Sequence, residues 1–312
     1  MRVLSGGKKR MLFSTLAFDG TARLAAGGGC NPTHVWDVAS GELVARLDEH
    51  KISFELQSLA FRKGQLLVPT KDGLVAHTPG DEEARVVLAE DWFVSCLALD
   101  ATGDWGVLQH NGGTGSAWLM SFSRAGGPRQ KEGWSVCLND PHRWACDAFS
   151  LACLPGKRFL VAELLHSHDD RTPATRVTVR SRTDGRVLAE QPGVWNPGDR
   201  VFASPYSDTF VVAAGHVLRA FDTRDPDAPP RDAVGEGKKL HFTGVAFHPD
   251  GQHVLAARND ETVTAYDLRT WRAVRSFTWD IGRARSVATS PDGTLAAAGG
   301  ETGKVVVWDV DL

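Results

Sequence analysis

The chain has 312 residues, a formal net charge of −3, and hydrophobic and charged fractions of 42% and 23%, values that exclude a disordered or fibrous protein. The sequence pI near 6.4 offers no general attraction to nucleic acid or to an anionic membrane. No apolar run approaches the roughly 20 residues of a membrane span, and the N-terminal stretch lacks the apolar core of a signal peptide. We therefore expect a cytoplasmic protein without membrane or nucleic-acid partners.

Cysteine usage predicts neither a disulfide framework nor a zinc site. The five cysteines are odd in number and show no Cys-x-x-Cys spacing. We interpret them as reduced and mostly buried: Cys30, Cys96, Cys137, Cys146 and Cys153.

Seven copies of one short phrase divide the sequence. Six copies have Leu or Val directly before Ala and a Gly shortly afterwards, as in LAFDG, LAFRKG and VAFHPDG, and the seventh is the glycine-less VFASPYSD. The step between successive alanines is 38 to 54 residues, which brackets the roughly 40 to 45 residues of a four-stranded propeller blade, so the two long steps mark insertions. The alanines are Ala17, Ala60, Ala98, Ala152, Ala203, Ala246 and Ala288.

The last copy shows the strand pattern within a blade. An inner strand ends in Ser-Pro-Asp-Gly, a turn that uses Pro to fix φ and Gly to allow a positive φ. A strand of small residues follows, and then a valine-rich third strand over Lys304–Val310 that contains Trp308 and Asp309. The same aromatic-Asp ending occurs at Trp36 and Asp37, Phe221 and Asp222, and Tyr266 and Asp267.

These repeats resemble the WD40-repeat β-propellers over essentially the whole chain. The resemblance implies an all-β, seven-bladed propeller as one domain spanning residues 1–312, with little or no helix. The sequence departs from the family in its polar positions: no blade has the Gly-His before the inner strand, and the turn Asp is replaced by Asn259 in the sixth copy and Glu301 in the seventh. We therefore expect apolar packing to hold the blades together instead of the family's buried polar network.

The two ends of the chain predict how the ring closes. The chain stops three residues after Asp309, so the seventh blade lacks an outer strand that Met1–Leu4 could supply. Such pairing would remove the exposed sheet edges.

Catalytic and ligand motifs are sparse. No nucleophile elbow, His-Glu-x-x-His motif or dinucleotide loop occurs, and Gly235–Lys239 (GEGKK) lacks key parts of a phosphate-binding loop. A polar loop is a metal-site candidate, although its residues are also those of an ordinary exposed insertion. Its potential ligands are His166, His168, Asp169 and Asp170.

Aromatic residues fall in the connections between blades, which in WD40-like propellers lie on the top face. They are either wedges packed between blades or exposed anchors for a partner, with wedges favoured for most of them. The residues are Phe54, Trp92, Trp144, Trp195 and Trp279.

Charge in the same connections is sorted into two arcs, interpreted either as a patch that steers a partner or as ordinary solvated loop charge. The acidic arc is Asp48, Glu49, Glu90, Asp91 and Asp140, and the basic arc is Lys238, Lys239, Arg283, Arg285, Lys8, Lys9 and Arg10.

The two insertions, residues 123–147 and 166–174, adjoin each other, and long loops on a rigid scaffold often carry function. With His142, Arg143 and Trp144 beside the His-rich loop, the sector of blades 3 and 4 is the first expected binding spot.

The leading hypothesis is a non-enzymatic scaffold or adaptor without a cofactor, a monomeric propeller or a subunit of a complex. It would bind another protein or a peptide on its top face. Two alternatives remain open: a metal-dependent hydrolase-type propeller with its site at the His-rich loop or the channel mouth, and a regulatory or sensory subunit of a larger assembly.

Overall fold

The structure is a computed structural model. It describes residues 1–6, 11–20, 22–28, 31–48, 59–70, 73–81, 85–88, 93–100, 102–111, 117–123, 133–138, 146–165, 174–191, 199–234 and 239–312. All regular structure in these ranges is β-strand, as the turn-rich sequence predicts, and the strands form seven four-stranded sheets.

Each sheet is one blade. Blade 1 is β2 (Thr15–Asp19), β3 (Arg23–Gly28), β4 (Asn31–Asp37) and β5 (Leu43–Leu47); blade 2 is β6 (Ala60–Arg62), β7 (Gln65–Thr70), β8 (Gly73–His77) and β9 (Arg85–Leu88). Blade 3 is β10 (Phe93–Leu99), β11 (Trp105–Asn111), β12 (Ala117–Ser123) and β13 (Ser135–Cys137); blade 4 is β14 (Cys146–Leu154), β15 (Arg158–Leu165), β16 (Ala174–Ser181) and β17 (Val187–Gln191).

The remaining blades complete the chain. Blade 5 is β18 (Arg200–Ala203), β19 (Thr209–Ala214), β20 (Val217–Asp222) and β21 (Arg231–Val234); blade 6 is β22 (Phe242–Phe247), β23 (His253–Arg258), β24 (Thr262–Asp267) and β25 (Ala273–Thr278). Blade 7 is β26 (Ala284–Thr289), β27 (Leu295–Gly300), β28 (Lys304–Asp309) and β1 (Arg2–Ser5).

The first strand of each blade contacts the first strand of the next, and β26 contacts β2, so these strands form a closed inner ring. The seven alanines of the repeated phrase all lie on these inner strands. The four aromatic-Asp endings all lie at the ends of third strands. The seven-bladed WD40-like propeller predicted from the repeats is confirmed.

The N-terminus closes the ring as predicted. Strand β1 pairs antiparallel with β28, with Val3 opposite Val306 and Leu4 opposite Val305. Leu4 is buried in the interface between blades 7 and 1. The closing strand therefore contributes both backbone hydrogen bonds and apolar packing to the last blade.

Apolar side chains fill every blade interface. The described residues form seven apolar clusters, each of which joins two neighbouring blades. This agrees with the expectation that apolar packing holds the blades together, although ionic contacts add to it in blades 2 to 5. There, three ion pairs cross between blades: Lys63 with Asp104, Arg182 with Asp100, and Arg158 with Asp208.

Strand β13 lies within the predicted insertion 123–147 and forms the outer strand of blade 3. Cys96, Cys137 and Cys153 form no disulfide, and burial raises the pKa of the Cys153 thiol to about 12. Across the described ranges, the structure contains no helix with the length and apolar character needed to cross a membrane.

Candidate functional site

Hydrogen bonds between connections define the two faces of the ring. In blade 6, the turn after β23 meets the connection before β22, where the Asn259 amide donates to the His241 carbonyl over 3.0 Å. At the opposite end, the Leu268 amide donates to the Gln252 carbonyl over 2.8 Å. This hydrogen bond joins the turn after β24 to the turn between β22 and β23. The end with Asn259 is called the top face and the end with Leu268 the bottom face.

Asn259 holds the top face of blade 6 in place. Its Oδ1 accepts a hydrogen bond from the His241 amide at 2.9 Å, and its Nδ2 donates to the Lys239 carbonyl at 3.0 Å. An amide side chain can donate and accept at once, so Asn259 ties the connection from both sides. Asn259, which stands where the family has Asp, therefore still stabilises this connection through hydrogen bonds to backbone groups.

Blade 7 fixes its top connection with different side chains. The Thr302 hydroxyl donates to the Ile281 carbonyl at 2.8 Å, and Lys304 Nζ donates to the Asp280 carbonyl at 3.0 Å. Gly282 has a φ of +67°, and a Cβ there would lie 2.8 Å from Thr302 Cγ2. This close approach requires glycine, and the connection is pinned against the turn that follows β27.

The basic side chains of this sector are partly neutralised. Arg285 pairs with Glu301 at 2.7 Å, whereas Arg283 reaches the same carboxylate only at 3.6 Å with its side chain 61% exposed. Lys239 is exposed. Among the described residues, the charged side chains around this part of the face are five cations, Lys239, Arg258, Arg283, Arg285 and Lys304, and four anions, Asp260, Glu261, Asp280 and Glu301.

Trp279 packs at the edge of the interface between blades 6 and 7. Its ring lies 4.3 Å from the Trp308 ring and stacks on Phe277 at 5.7 Å between centroids. Trp308 is buried, and its Nε1 has no hydrogen-bond partner among the described residues. The Trp308 indole is therefore held by packing against aromatic and aliphatic side chains.

Most predicted site residues cannot be placed. The following lie outside the described residues: Lys8, Lys9, Arg10, Trp92, His142, Arg143, Trp144, His166, His168, Asp169, Asp170, Trp195 and Lys238. Of the acidic arc, Asp48 is described and pairs with Arg46 at 2.7 Å. The structure brings together Arg283 and Arg285 through Glu301, with Lys239 on the neighbouring blade.

Blade 4 contains a buried ionic cluster that sequence reasoning missed. Glu163 is fully buried and receives hydrogen bonds from Arg180 at 2.6 Å, from the Thr178 hydroxyl at 3.1 Å and from Arg176 Nε at 3.0 Å. Strand register brings Glu163 opposite Arg176. Removing one member of such a buried cluster would leave its charged partners without their counterpart inside the blade.

The bottom face of blade 6 carries a second cluster that the sequence did not reveal. His248, Asp250 and His253 lie on and beside the turn that joins β22 to β23, with potential ligand atoms all within 4.8 Å of one another. Burial raises the pKa of Asp250, but hydrogen bonds led by those from the His253 ring and from the Gln252 and His253 amides outweigh this effect and lower the pKa to about 2.

Comparison with known proteins supports the repeats nearest the C-terminus. The family model described as WD domain, G-beta repeat matches residues 236–267 and 273–309, which cover blade 6 and most of blade 7. No curated protein matches the chain.

Proposed function

We propose that this chain, a seven-bladed β-propeller of the WD40-like type, is a non-enzymatic scaffold that binds a protein or peptide segment on its top face. Such propellers commonly serve as protein-interaction scaffolds. The fold supports this class of function, and the residues of the top face supply the reason for choosing that surface.

The observation that carries the proposal is the state of Arg283. Its guanidinium is largely exposed and only loosely paired, yet its backbone lies in a connection fixed by Thr302 and Lys304. A charged side chain on an ordered backbone can bind a partner at a smaller entropic cost than one on a mobile loop. Lys239 in blade 6 is likewise an exposed cation on a fixed backbone, because Asn259 Nδ2 donates to its carbonyl.

These two cations indicate the chemistry of the bound segment. Arg285 is neutralised by Glu301 at 2.7 Å and stabilises the turn. Arg283 and Lys239 remain available, and a carboxylate-bearing segment would complement both of them. We therefore assign recognition to Lys239 and Arg283, and a supporting role to Arg285.

Charge reversal tests the assignment. The double variant Lys239→Glu/Arg283→Glu is used as bait beside the wild-type chain and a matched control, Arg269→Glu/Arg272→Glu, which makes the same charge change on exposed bottom-face residues. Partners captured from the native host are quantified by mass spectrometry, and the recovered partner is then titrated in purified form. We expect at least tenfold weaker binding for the top-face variant and near wild-type binding for the control.

Two results would contradict the proposal. A purified partner that binds the top-face variant as tightly as wild type at low salt removes Lys239 and Arg283 from recognition. A partner that is lost only from the Arg269→Glu/Arg272→Glu control places the interaction on the opposite face.

A further inference from the structure

One turn on the bottom face gathers two imidazoles around a single carboxylate oxygen. His253 Nδ1 lies 2.6 Å from Asp250 Oδ2, and His248 Nδ1 lies 3.0 Å from the same oxygen. The two rings are nearly perpendicular, at 75°, with their centroids 6.4 Å apart. Three atoms of the kinds that bind divalent metals in proteins thus face one another across a small space.

The two oxygens of Asp250 have separate roles. Oδ1 accepts hydrogen bonds from the Gln252 amide at 2.7 Å and the His253 amide at 3.0 Å, and so caps the turn. Oδ2 takes no part in this capping and points to the two rings. The backbone therefore fixes the carboxylate with one oxygen directed at both imidazoles.

Hydrogen bonding leaves a lone pair on His248 facing that oxygen. His248 Nε2 lies 2.9 Å from the Gly293 carbonyl, which can only accept, so Nε2 is the protonated nitrogen of the neutral ring. The Asp250 amide, 3.3 Å from His248 Nδ1, also favours an acceptor there. Two electron-rich atoms thus stand 3.0 Å apart, an arrangement that a cation between them would stabilise.

The neighbouring blade orients His248. Gly293 in blade 7 has a φ of +76°, and a Cβ there would lie 2.8 Å from His248 Nε2, so glycine at this position leaves room for the ring. A metal-binding histidine usually donates its other N–H to a carbonyl or carboxylate, which fixes the ring and its tautomer. The Gly293 carbonyl supplies such a contact from across the blade interface.

Blade 7 provides an internal comparison. Its equivalent turn has Ser290 in place of His248 and Leu295 in place of His253, and Asp292 accepts hydrogen bonds from the Ser290 and Thr294 hydroxyls. A hydroxyl therefore suffices to satisfy the turn carboxylate. The turn of blade 6 therefore does not need two imidazoles to satisfy its carboxylate.

We propose that His248 Nδ1, Asp250 Oδ2 and His253 Nδ1 bind one borderline divalent cation of the Zn²⁺ class, with solvent at the fourth position. Zn²⁺ bonds of about 2.0 to 2.1 Å place tetrahedral ligand atoms about 3.4 Å apart, so on binding the separation from Oδ2 would grow by about 0.8 Å for His253 Nδ1 and by about 0.4 Å for His248 Nδ1. His253 then carries its proton on Nε2. The side chains are 13%, 30% and 18% exposed in chain order, which gives an ion access from solvent.

Equilibrium dialysis of the purified full-length chain with Zn²⁺ tests the site. The variant His248→Ser/His253→Leu installs residues that blade 7 already accepts in the same turn. A matched control, His216→Ala/His241→Ala, removes two exposed histidines from the top face. We expect a tightly bound Zn²⁺ equivalent in wild type and the control, at least tenfold weaker binding in the blade 6 variant, and no competition from Mg²⁺.

A third variant separates this site from the His-rich loop. If His166→Ala/His168→Ala abolishes the tight equivalent while His248→Ser/His253→Leu retains it, the blade 6 assignment is wrong. The absence of tight Zn²⁺ binding by the wild-type chain overturns it as well. X-ray absorption of Zn²⁺-loaded wild type gives a readout that does not depend on a variant folding: two imidazoles and one carboxylate support the site, and any other donor set contradicts it. The outcome is independent of partner binding on the top face.

Discussion

Two sectors of the ring have the same architecture but differ in whether ion pairs of the described residues cross between blades, although the Ser150 hydroxyl also donates to the Val201 carbonyl between blades 4 and 5. From blade 2 to blade 5, carboxylates and cationic side chains pair across the interfaces, at 2.6 Å for Lys63 with Asp104 and 2.7 Å for Arg182 with Asp100. From blade 6 through blade 7 to blade 1, hydroxyls donate to backbone carbonyls, as Thr289 does to Phe247 and Ser286 to Phe13. We call these the ionic sector and the hydroxyl sector.

This difference shows that the interface between two blades constrains the shape of the packed apolar side chains more than the kind of polar contact around them. Every interface contains an apolar cluster, and the polar contacts around it vary. The family model matches only residues 236–267 and 273–309, in the hydroxyl sector, where the sequence keeps regular repeats. The ionic sector has the same strand order with different side chains.

The largest effect is expected in the ionic sector, at Glu163. The change Glu163→Gln leaves Arg176 and Arg180 without their carboxylate in the interior of blade 4, which should lower the free energy of unfolding by about 3 to 5 kcal/mol. Urea denaturation measures this loss. Glu190→Gln, at an exposed position of the same blade, should change stability by less than about 0.5 kcal/mol. Equal losses in the two variants would show that the buried cluster has no special role.

The second-largest effect is expected from acid, which should destabilise the folded chain through His110 in blade 3. Burial lowers the pKa of His110 from 6.5 to about 4. The unfolded chain therefore takes up a proton as pH falls below 6.5 while the folded chain does not, and stability is lost until the pH reaches about 4. The full shift corresponds to about 3 kcal/mol.

The variant His110→Gln checks this acid dependence. The slope of unfolding free energy against pH between 6.5 and 4 should be shallower than in wild type, whereas His216→Gln, at an exposed histidine, should leave it unchanged. Burial also lowers the pKa of His34 at the interface of blades 7 and 1, so part of the slope should remain. An unchanged slope in His110→Gln would rule out this histidine as a source of acid sensitivity.

A double-mutant cycle addresses the ionic contacts themselves. Asp100→Asn keeps the oxygen that caps its own turn, and Arg182→Met removes the guanidinium that lies 2.7 Å from Asp100 and 4.4 Å from the Trp105 ring. We expect a coupling energy of about 1 to 2 kcal/mol, which decreases as NaCl is raised because the pair is only partly buried. If the effects of the two changes were strictly additive, the ion pair of Asp100 and Arg182 would not contribute to stability.

The smallest effect is expected in the hydroxyl sector. Thr289→Val keeps the shape of the side chain and removes its hydrogen bond to the Phe247 carbonyl, which should cost about 1 kcal/mol. Because neither group is charged, the loss should be the same at low and high salt. A salt dependence equal to that of the Asp100 and Arg182 pair would remove the distinction between the two sectors.

The sequence predicted the elements that depend on local residue patterns. The repeated alanines located the inner strands, and the aromatic-Asp pairs located the ends of four third strands. The closing strand was predicted as Met1–Leu4, one residue from the observed Arg2–Ser5. These features follow from alternation, turn residues and chain length, which are all readable along the chain.

The sequence could not reveal contacts that depend on register or on neighbouring blades. Glu163 meets Arg176 only because β15 and β16 pair in one register, and Asp100 meets Arg182 across an interface. The His248 cluster resembled an ordinary turn, although two histidines around Pro-Asp-Gly were an available signal. The predicted basic arc omitted Glu301 as the partner of Arg283 and Arg285.

Both sectors should belong to one cooperative ring closed by β1. Hydrogen exchange read by mass spectrometry tests this cooperativity directly, by comparing the wild-type chain with one that lacks Arg2–Ser5. We predict faster exchange throughout the chain, including β15 and β16 in blade 4, because loss of the closing strand destabilises the ring as a unit. Faster exchange confined to β28 and its neighbours in blade 7, or none at all, would contradict the claim.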